Sequence, residues 1–285
     1  MLFSIEEIAQ ITGADIIGQK QGTVKRIFID SRQIVPREGT LFVAIRGERH
    51  DGHKFIAEIY QKKGIRFFLV EHPDASLQSQ PDISFLVVNN TLQAFQQLAA
   101  HYRRQFSIPV VGITGSNGKT IVKEWLFHIL QKQFVVTRSP KSYNSQTGVP
   151  LSIFLLEPST QIALFEAGIS QKGEMEKLQQ IIHPTVGIFT NIGTAHQENF
   201  TTLEEKIDEK LKLFSSCQVL IYCADHLPIE DRIKKAGLDK NCTLLNWSFS
   251  QPATLQIVAV KVMGHQAQIT GLYQQRELSI VIPFT

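Results

Sequence analysis

The chain has 285 residues, 43% of them apolar and 19% charged, with a formal net charge of +3. That is the balance of a folded globular protein with room for two domains and a sizeable core. A charge so near neutral, without a Lys/Arg run, gives no argument for a nucleic-acid or membrane-surface binder, and no apolar run approaches the ~20 residues that cross a bilayer.

The first residues, Met1-Leu-Phe-Ser-Ile-Glu-Glu-Ile, lack both a positive n-region and a long apolar h-region, so no signal peptide is expected. Cys217, Cys223 and Cys242 are an odd number without a Cys-x-x-Cys pair, which predicts reduced thiols in a cytoplasmic protein.

In chain order, Ser4 and Glu7 form a capping box that opens a helix over Ile5–Thr12. Val24–Ile29 and Thr40–Ala44 read as strands, Phe55–Lys63 as a helix and Phe67–Val70 as a further strand. An amphipathic helix carrying Leu92, Phe95, Leu98, Ala99 and Tyr102 follows, and the expected domain boundary lies near residue 89. Val110–Thr114, Ile162–Glu166 and Val186–Asn191 are short apolar runs typical of strands buried on both faces. Helices over Ile121–Gln133, Gly173–Ile182 and Leu203–Phe214 separate and follow them, and Val219–Tyr222 is the next strand. This alternation predicts an α/β fold with a parallel sheet and right-handed crossovers. From Leu255 to Ile282 the pattern changes to period-two β segments around Gly264-His265.

Val110-Val-Gly-Ile-Thr-Gly-Ser-Asn-Gly-Lys-Thr120 runs from an apolar strand through a glycine turn into a helix. Such a turn offers backbone N–H groups of Gly115, Ser116, Asn117 and Gly118 to a polyphosphate at a helix N-terminus. Lys119 would reach the terminal phosphates, and the Thr120 hydroxyl suits a magnesium ion. The spacing departs from a strict Walker A loop, which would have glycine where this chain has Ile113.

In an open parallel sheet, ligands sit beyond the carboxyl ends of the strands. Glu166 ends one such strand, and Thr190-Asn191 ends another that continues through Ile-Gly-Thr-Ala to His196. Glu166 is a candidate magnesium ligand, and His196 a candidate for a second metal or for a phosphate. Lys210 lies about 60° from Ile207, at the margin of the Leu203, Ile207, Leu211 and Phe214 stripe. It is either a snorkelling surface lysine or an ammonium with reason to lose its charge. A capping box at Thr201 and Glu204 is expected to open that helix. Asp30-Ser31-Arg32 and Asp51-Gly52-His53 occupy polar turns, where Ser31 and Arg32 could hold a phosphate.

Together these motifs resemble the Mur ligase superfamily. Thr114–Thr120 matches the family's Thr-Gly-Thr/Ser-Asn-Gly-Lys-Thr loop, offset glycines included. Asp30-Ser-Arg32, Leu41-Phe-Val-Ala-Ile-Arg-Gly47 and Asp51-Gly-His53 resemble motifs of its uridine-nucleotide domain. Ser139–Pro150 resembles the segment whose asparagine lies near the metal and phosphates, which corresponds to Asn144. Thr190–Glu198 is similar to the histidine motif of the branch that adds a D-alanyl-D-alanine dipeptide, and lacks the Arg-Asp-His-Leu-Asp of the branch that adds the third amino acid.

The resemblance implies a small α/β UDP-sugar-binding domain over residues 1–88 and a P-loop parallel-sheet ATPase domain over 89–285, incomplete at its C-terminal end. It implies ATP, two Mg2+ ions and a carbamylated Lys210 as cofactors. Lys119, His196 and Lys210 would be catalytic, with Thr120, Glu166, His196 and Lys210 on the metals. Ser31, Arg32, Gly47, Asp51, His53 and Asn144 would bind substrate. The implied reaction joins D-alanyl-D-alanine to UDP-N-acetylmuramoyl-tripeptide through an acyl phosphate, in peptidoglycan synthesis, with no nucleic acid and no membrane insertion. In the family's Lys-x-Glu-x-Phe pattern, Lys212 stands here in place of the glutamate. The family's Asn-rich helix and C-terminal domain are missing after Thr285. The chain is therefore expected to be an inactive fragment that binds UDP-sugar, and it is compatible with fusion to an alanine racemase. The alternatives are a folate-type or other amino-acid ligase, and a nucleotide-binding regulator without ligase chemistry.

Overall fold

The computed structural model describes residues 3–47, 50–193 and 199–283, and the chain divides into two compact units, 1–106 and 107–285. The division falls after Phe106 and not near residue 89. The Thr91–Arg103 helix buries Phe95, Leu98 and Ala99 and packs on the Ile5–Thr12 helix, so it completes the first unit.

In the first unit, the Ser4 hydroxyl accepts from Glu7 N at 3.1 Å while the Glu7 carboxylate accepts from Ser4 N, which is the expected capping box. A five-stranded sheet runs in the order Asp15–Gly18, Ser84–Val87, Phe67–Val70, Thr40–Val43, Arg26–Phe28. Its last four strands are parallel and Asp15–Gly18 is antiparallel. One face closes over Phe42, Phe68 and Phe85, with Ile56 and Ile59 brought by the Ile56–Lys63 helix.

The second unit is built on a nine-stranded sheet. Its order is Arg276–Ile282, Gln266–Tyr273, Leu255–Met263, Thr243–Ser248, Val219–Cys223, Val186–Phe189, Val110–Thr114, Ile162–Glu166, Val136–Arg138. Pairing is parallel from Val136–Arg138 to Leu255–Met263, and antiparallel over the last three strands. The strand after Val110–Thr114 lies on one side of it and Val186–Phe189 on the other, so the order reverses there. A reversal of that kind opens a crevice at the strands' carboxyl ends. The helices Lys119–Leu130, Glu174–Ile182, Leu203–Leu211 and Leu227–Lys235 belong to this unit. No helix among the described residues is long and apolar enough to cross a membrane.

Candidate functional site

The phosphate loop is held open by its neighbours. Gly115 has φ +148°, and a Cβ there would stand 2.0 Å from Thr190 Oγ1 and 3.0 Å from Asn191 N, so only glycine fits. Ser116 N donates to Asn191 O at 2.9 Å and Asn117 N to Asn191 Oδ1 at 2.9 Å, while the Thr190 hydroxyl donates to Asn117 O at 2.6 Å. Gly118, at φ +81°, begins the Lys119–Leu130 helix without a side-chain cap, which leaves the first N–H groups for an anion.

Four expected side chains meet behind this loop. Lys119 Nζ donates to Gly115 O at 2.9 Å, and Lys210 Nζ donates to the same carbonyl at 3.3 Å. The Thr120 hydroxyl donates to Glu166 Oε2 at 3.1 Å and lies 3.2 Å from Ser142 Oγ. Asn144 accepts Gly168 N through its backbone oxygen at 2.8 Å. It lines a cavity of about 240 Å³ together with Gly115, Ser116, Lys119 and Lys210. His196 lies outside the described residues.

Lys210 is 4% exposed, so the snorkelling alternative fails. Burial, and then the charges of Lys119 and Lys206, lower its pKa to about 7. Burial also lowers Lys119 from the usual lysine range, with Glu166 opposing the shift. The helix bearing Lys210 starts at Leu203, as its sequence suggests, but its capping residue lies one position later than the expected Thr201. Thr202 is the cap and accepts from Glu205 N at 3.1 Å, while the Glu205 carboxylate reaches back to Thr201 N at 2.9 Å. Lys212 finds its partner in Glu209, at 2.7 Å. The other Glu209 oxygen accepts Gly173 N at 2.8 Å and Met175 N at 3.1 Å, capping the Glu174–Ile182 helix. The departure at Lys212 is thus matched by a carboxylate one turn earlier.

Sequence reasoning missed Lys123, which is fully buried with Nζ 2.9 Å from Glu166 Oε1. The available signal was its place one turn beyond Lys119, on the same face of the helix. Glu166 is also fully buried, and its Oε1 accepts no hydrogen bond among the described residues despite that ion pair. A hard divalent cation suits this donor set of one carboxylate and one hydroxyl completed by phosphate oxygens. No group of three or more His, Cys, Asp or Glu suited to a metal occurs among the described residues.

In the first unit, Arg32 grips Asp30 through Nε at 3.0 Å and Nη2 at 2.9 Å, with its side chain 88% exposed. That bond lowers the Asp30 carboxyl to about 2. Ser31 O accepts from Lys63 Nζ at 2.6 Å, and Gly47 N donates to His50 O at 2.8 Å. His53 Nε2 accepts from Glu71 N at 2.9 Å, which puts the ring proton on Nδ1, donated to Asp51 Oδ1 at 2.7 Å. Asp51 and His53 therefore spend these hydrogen bonds in fastening their own turn to the end of the Phe67–Val70 strand.

A glycine phosphate loop, a strand-end carboxylate and a desolvated lysine at the reversal point of a parallel sheet define a phosphate-loop α/β protein. The chain belongs to the Mur ligase family. It matches the Mur ligase middle domain over residues 113–285 and the catalytic domain of the Mur ligase family over residues 23–103. It is 30% identical over 228 residues to the UDP-N-acetylmuramoyl-tripeptide–D-alanyl-D-alanine ligase of Bacillus subtilis, covering 78% of this chain and 49% of that protein. It is 34% identical over 206 residues to the ligase of the same name from Escherichia coli, covering 72% and 42%. The crystal structure of MurF from Acinetobacter baumannii superposes with TM-score 0.85 at 26% identity, covering all of this chain and 62% of that one. MurF from Thermotoga maritima in complex with ADP superposes at 0.79 and 25% identity, covering 92% and 58%. The chain spans about half the length of the curated relatives it matches.

Proposed function

We propose that the polypeptide carrying this chain is a cytoplasmic, ATP-dependent ligase of peptidoglycan precursor synthesis that joins D-alanyl-D-alanine to UDP-N-acetylmuramoyl-tripeptide. The observation that carries this reading is the convergence of Lys119, Thr120, Glu166 and Lys210 on one sheet edge around the phosphate loop. The named activities of the Bacillus subtilis and Escherichia coli relatives supply the substrates.

In this reading the first unit, residues 1–106, holds the uridine nucleotide through Ser31, Arg32 and Gly47, with Asp51 and His53 setting the turn, and the second, residues 107–285, holds ATP. Asn144 faces the phosphates. The tripeptide carboxylate attacks the γ-phosphorus of ATP, the bond to the β-phosphate oxygen breaks, and ADP leaves. The dipeptide amine adds to the acyl phosphate carbonyl, and phosphate departs as the amide forms and the amine gives up a proton. Catalysis of this kind is positioning and charge neutralisation. The Lys119 ammonium offsets phosphate charge, and the uncapped backbone N–H groups at the start of the Lys119–Leu130 helix fix the chain of phosphates.

Thr120 and Glu166 would hold one Mg2+ ion, and His196 with carbamylated Lys210 a second; the ions, when bound, neutralise phosphate oxygens. A lysine with a pKa of about 7 is half free base at neutral pH. That nitrogen attacks CO2, a C–N bond forms, and one proton leaves to give the carboxylate.

Titration of the chain with UDP-N-acetylmuramoyl-tripeptide tests the reading. Saturable binding is expected. No affinity would favour a nucleotide-binding regulator without ligase chemistry.

A further inference from the structure

Lys123 is a fully buried lysine at the meeting point of three elements. Its Nζ donates to Ser139 O at 2.8 Å and to Lys141 O, and stands 2.9 Å from Glu166 Oε1 and 3.3 Å from Glu124 Oε1. The two carbonyls belong to the segment that leads to Asn144, and Lys141 sits there at φ +47°, an uncommon backbone conformation for a residue with a side chain. The same segment is tied to the strand end by Glu166 N, which donates to Ser139 Oγ at 3.1 Å. It is tied to the helix by the contact of Ser142 Oγ with Thr120 Oγ1 at 3.2 Å.

A lysine charge persists in the interior only when it is paired and hydrogen-bonded. Here the pairing has a direction. Lys123 occupies the Oε1 side of Glu166, and Oε2 is turned to Thr120. We propose that Lys123 is a positioning residue: its ammonium clamps one oxygen of Glu166 and two carbonyls of the Ser139–Asn144 segment. The other Glu166 oxygen and Asn144 are thereby aimed at the phosphate loop before any ligand arrives. The proposal rests on the reading of Glu166 and Thr120 as the magnesium site.

The effect on metal affinity has two opposed components. A fixed positive charge beside the ligand repels a cation, so its removal would tighten binding. Loss of orientation weakens it, typically by 10- to 100-fold when a supporting partner of a metal ligand is removed. The clamp predicts that orientation wins.

The test uses the 285-residue chain with Mn2+ and ADP, with free Mn2+ read by electron paramagnetic resonance and amide exchange read across residues 139–147. Lys123→Met should weaken Mn2+ binding about tenfold and speed exchange in that segment, while the Val219–Cys223 strand keeps its protection. Lys123→Arg, which retains the donors, should restore most of the protection. Lys123→Met/Glu166→Gln leaves no unpaired buried charge, so it keeps the test open if the single variant does not fold. Fast exchange at 139–147 in the double variant is expected. Unchanged or tighter Mn2+ binding in a folded Lys123→Met chain, or wild-type exchange in the double variant, would overturn the proposal. If the wild-type chain itself binds no Mn2+ with ADP, the magnesium reading falls and the exchange data alone decide the role of Lys123.

Discussion

Replacing Gly115 by alanine should break the phosphate loop at a calculable cost. The backbone stands at φ +148°, where a residue with a Cβ carries about 1–3 kcal/mol of strain. The new Cβ would also overlap Thr190 Oγ1 at 2.0 Å and press on Asn191 N and O, both at 3.0 Å. Relief requires the loop to part from the Thr190-Asn191 turn, which forfeits the Ser116 N to Asn191 O bond and another ~1 kcal/mol. The total is about 3 kcal/mol, confined to the second unit. Both tryptophans, Trp125 and Trp247, lie in that unit, so urea unfolding followed by tryptophan fluorescence reads it selectively. With a slope of roughly 2 kcal/mol/M, the midpoint should fall by about 1.5 M. ADP binding should be lost at concentrations that saturate the wild type. Thr190→Ala in addition should not rescue, because the strain and the Asn191 contacts remain. A Gly115→Ala chain within about 0.5 kcal/mol of wild type would refute the reasoning.

Lys210→Met should stabilise the chain in CO2-free buffer. Lys210 has a pKa of about 7 when folded and 10.5 as its ordinary value, so the unfolded chain binds the extra proton between those limits. Wild-type stability therefore rises with pH across that window, and its deficit against the Met variant, ~4 kcal/mol at pH 7, should shrink toward pH 10. A pH-independent difference would contradict the burial argument. In 13C-bicarbonate the wild-type chain should show a carbamate resonance that Lys210→Met lacks; its presence in the variant would place the modification elsewhere. His53→Ala removes the bridge from Asp51 to Glu71 N and should cost ~2 kcal/mol in the first unit. Calorimetry checks this, and an unchanged transition would show that the bridge contributes nothing.

The central strands were legible because Val110–Thr114 and Ile162–Glu166 are buried on both faces and read as unbroken apolar runs. Asp15–Gly18, Val136–Arg138 and Thr243–Ser248 were not, because they are short or only half-buried and show neither alternation nor an apolar run. The phosphate loop announced itself through its glycines, and Glu166 through its place at a strand end. Lys210 was ambiguous because a stripe-margin position fixes its angle on the helix and not what covers it. Lys123 was harder still for the same reason, since its place one turn beyond Lys119 does not show what covers it. A lysine in a helix reads as solvated until the carbonyls of Ser139 and Lys141, distant in sequence, are folded over it. The Lys212–Glu209 pair is three residues apart and local, but the helix N-terminus that Glu209 caps comes from another helix and required the fold.

The most direct test of the account is ligation by the polypeptide as its gene encodes it, supplied with ATP, Mg2+, UDP-N-acetylmuramoyl-tripeptide and D-alanyl-D-alanine. The account predicts one UDP-N-acetylmuramoyl-pentapeptide formed for each ATP converted to ADP and phosphate, and loss of that product with Lys119→Ala. ATP hydrolysis without a new amide, or no dependence on the dipeptide, would contradict it.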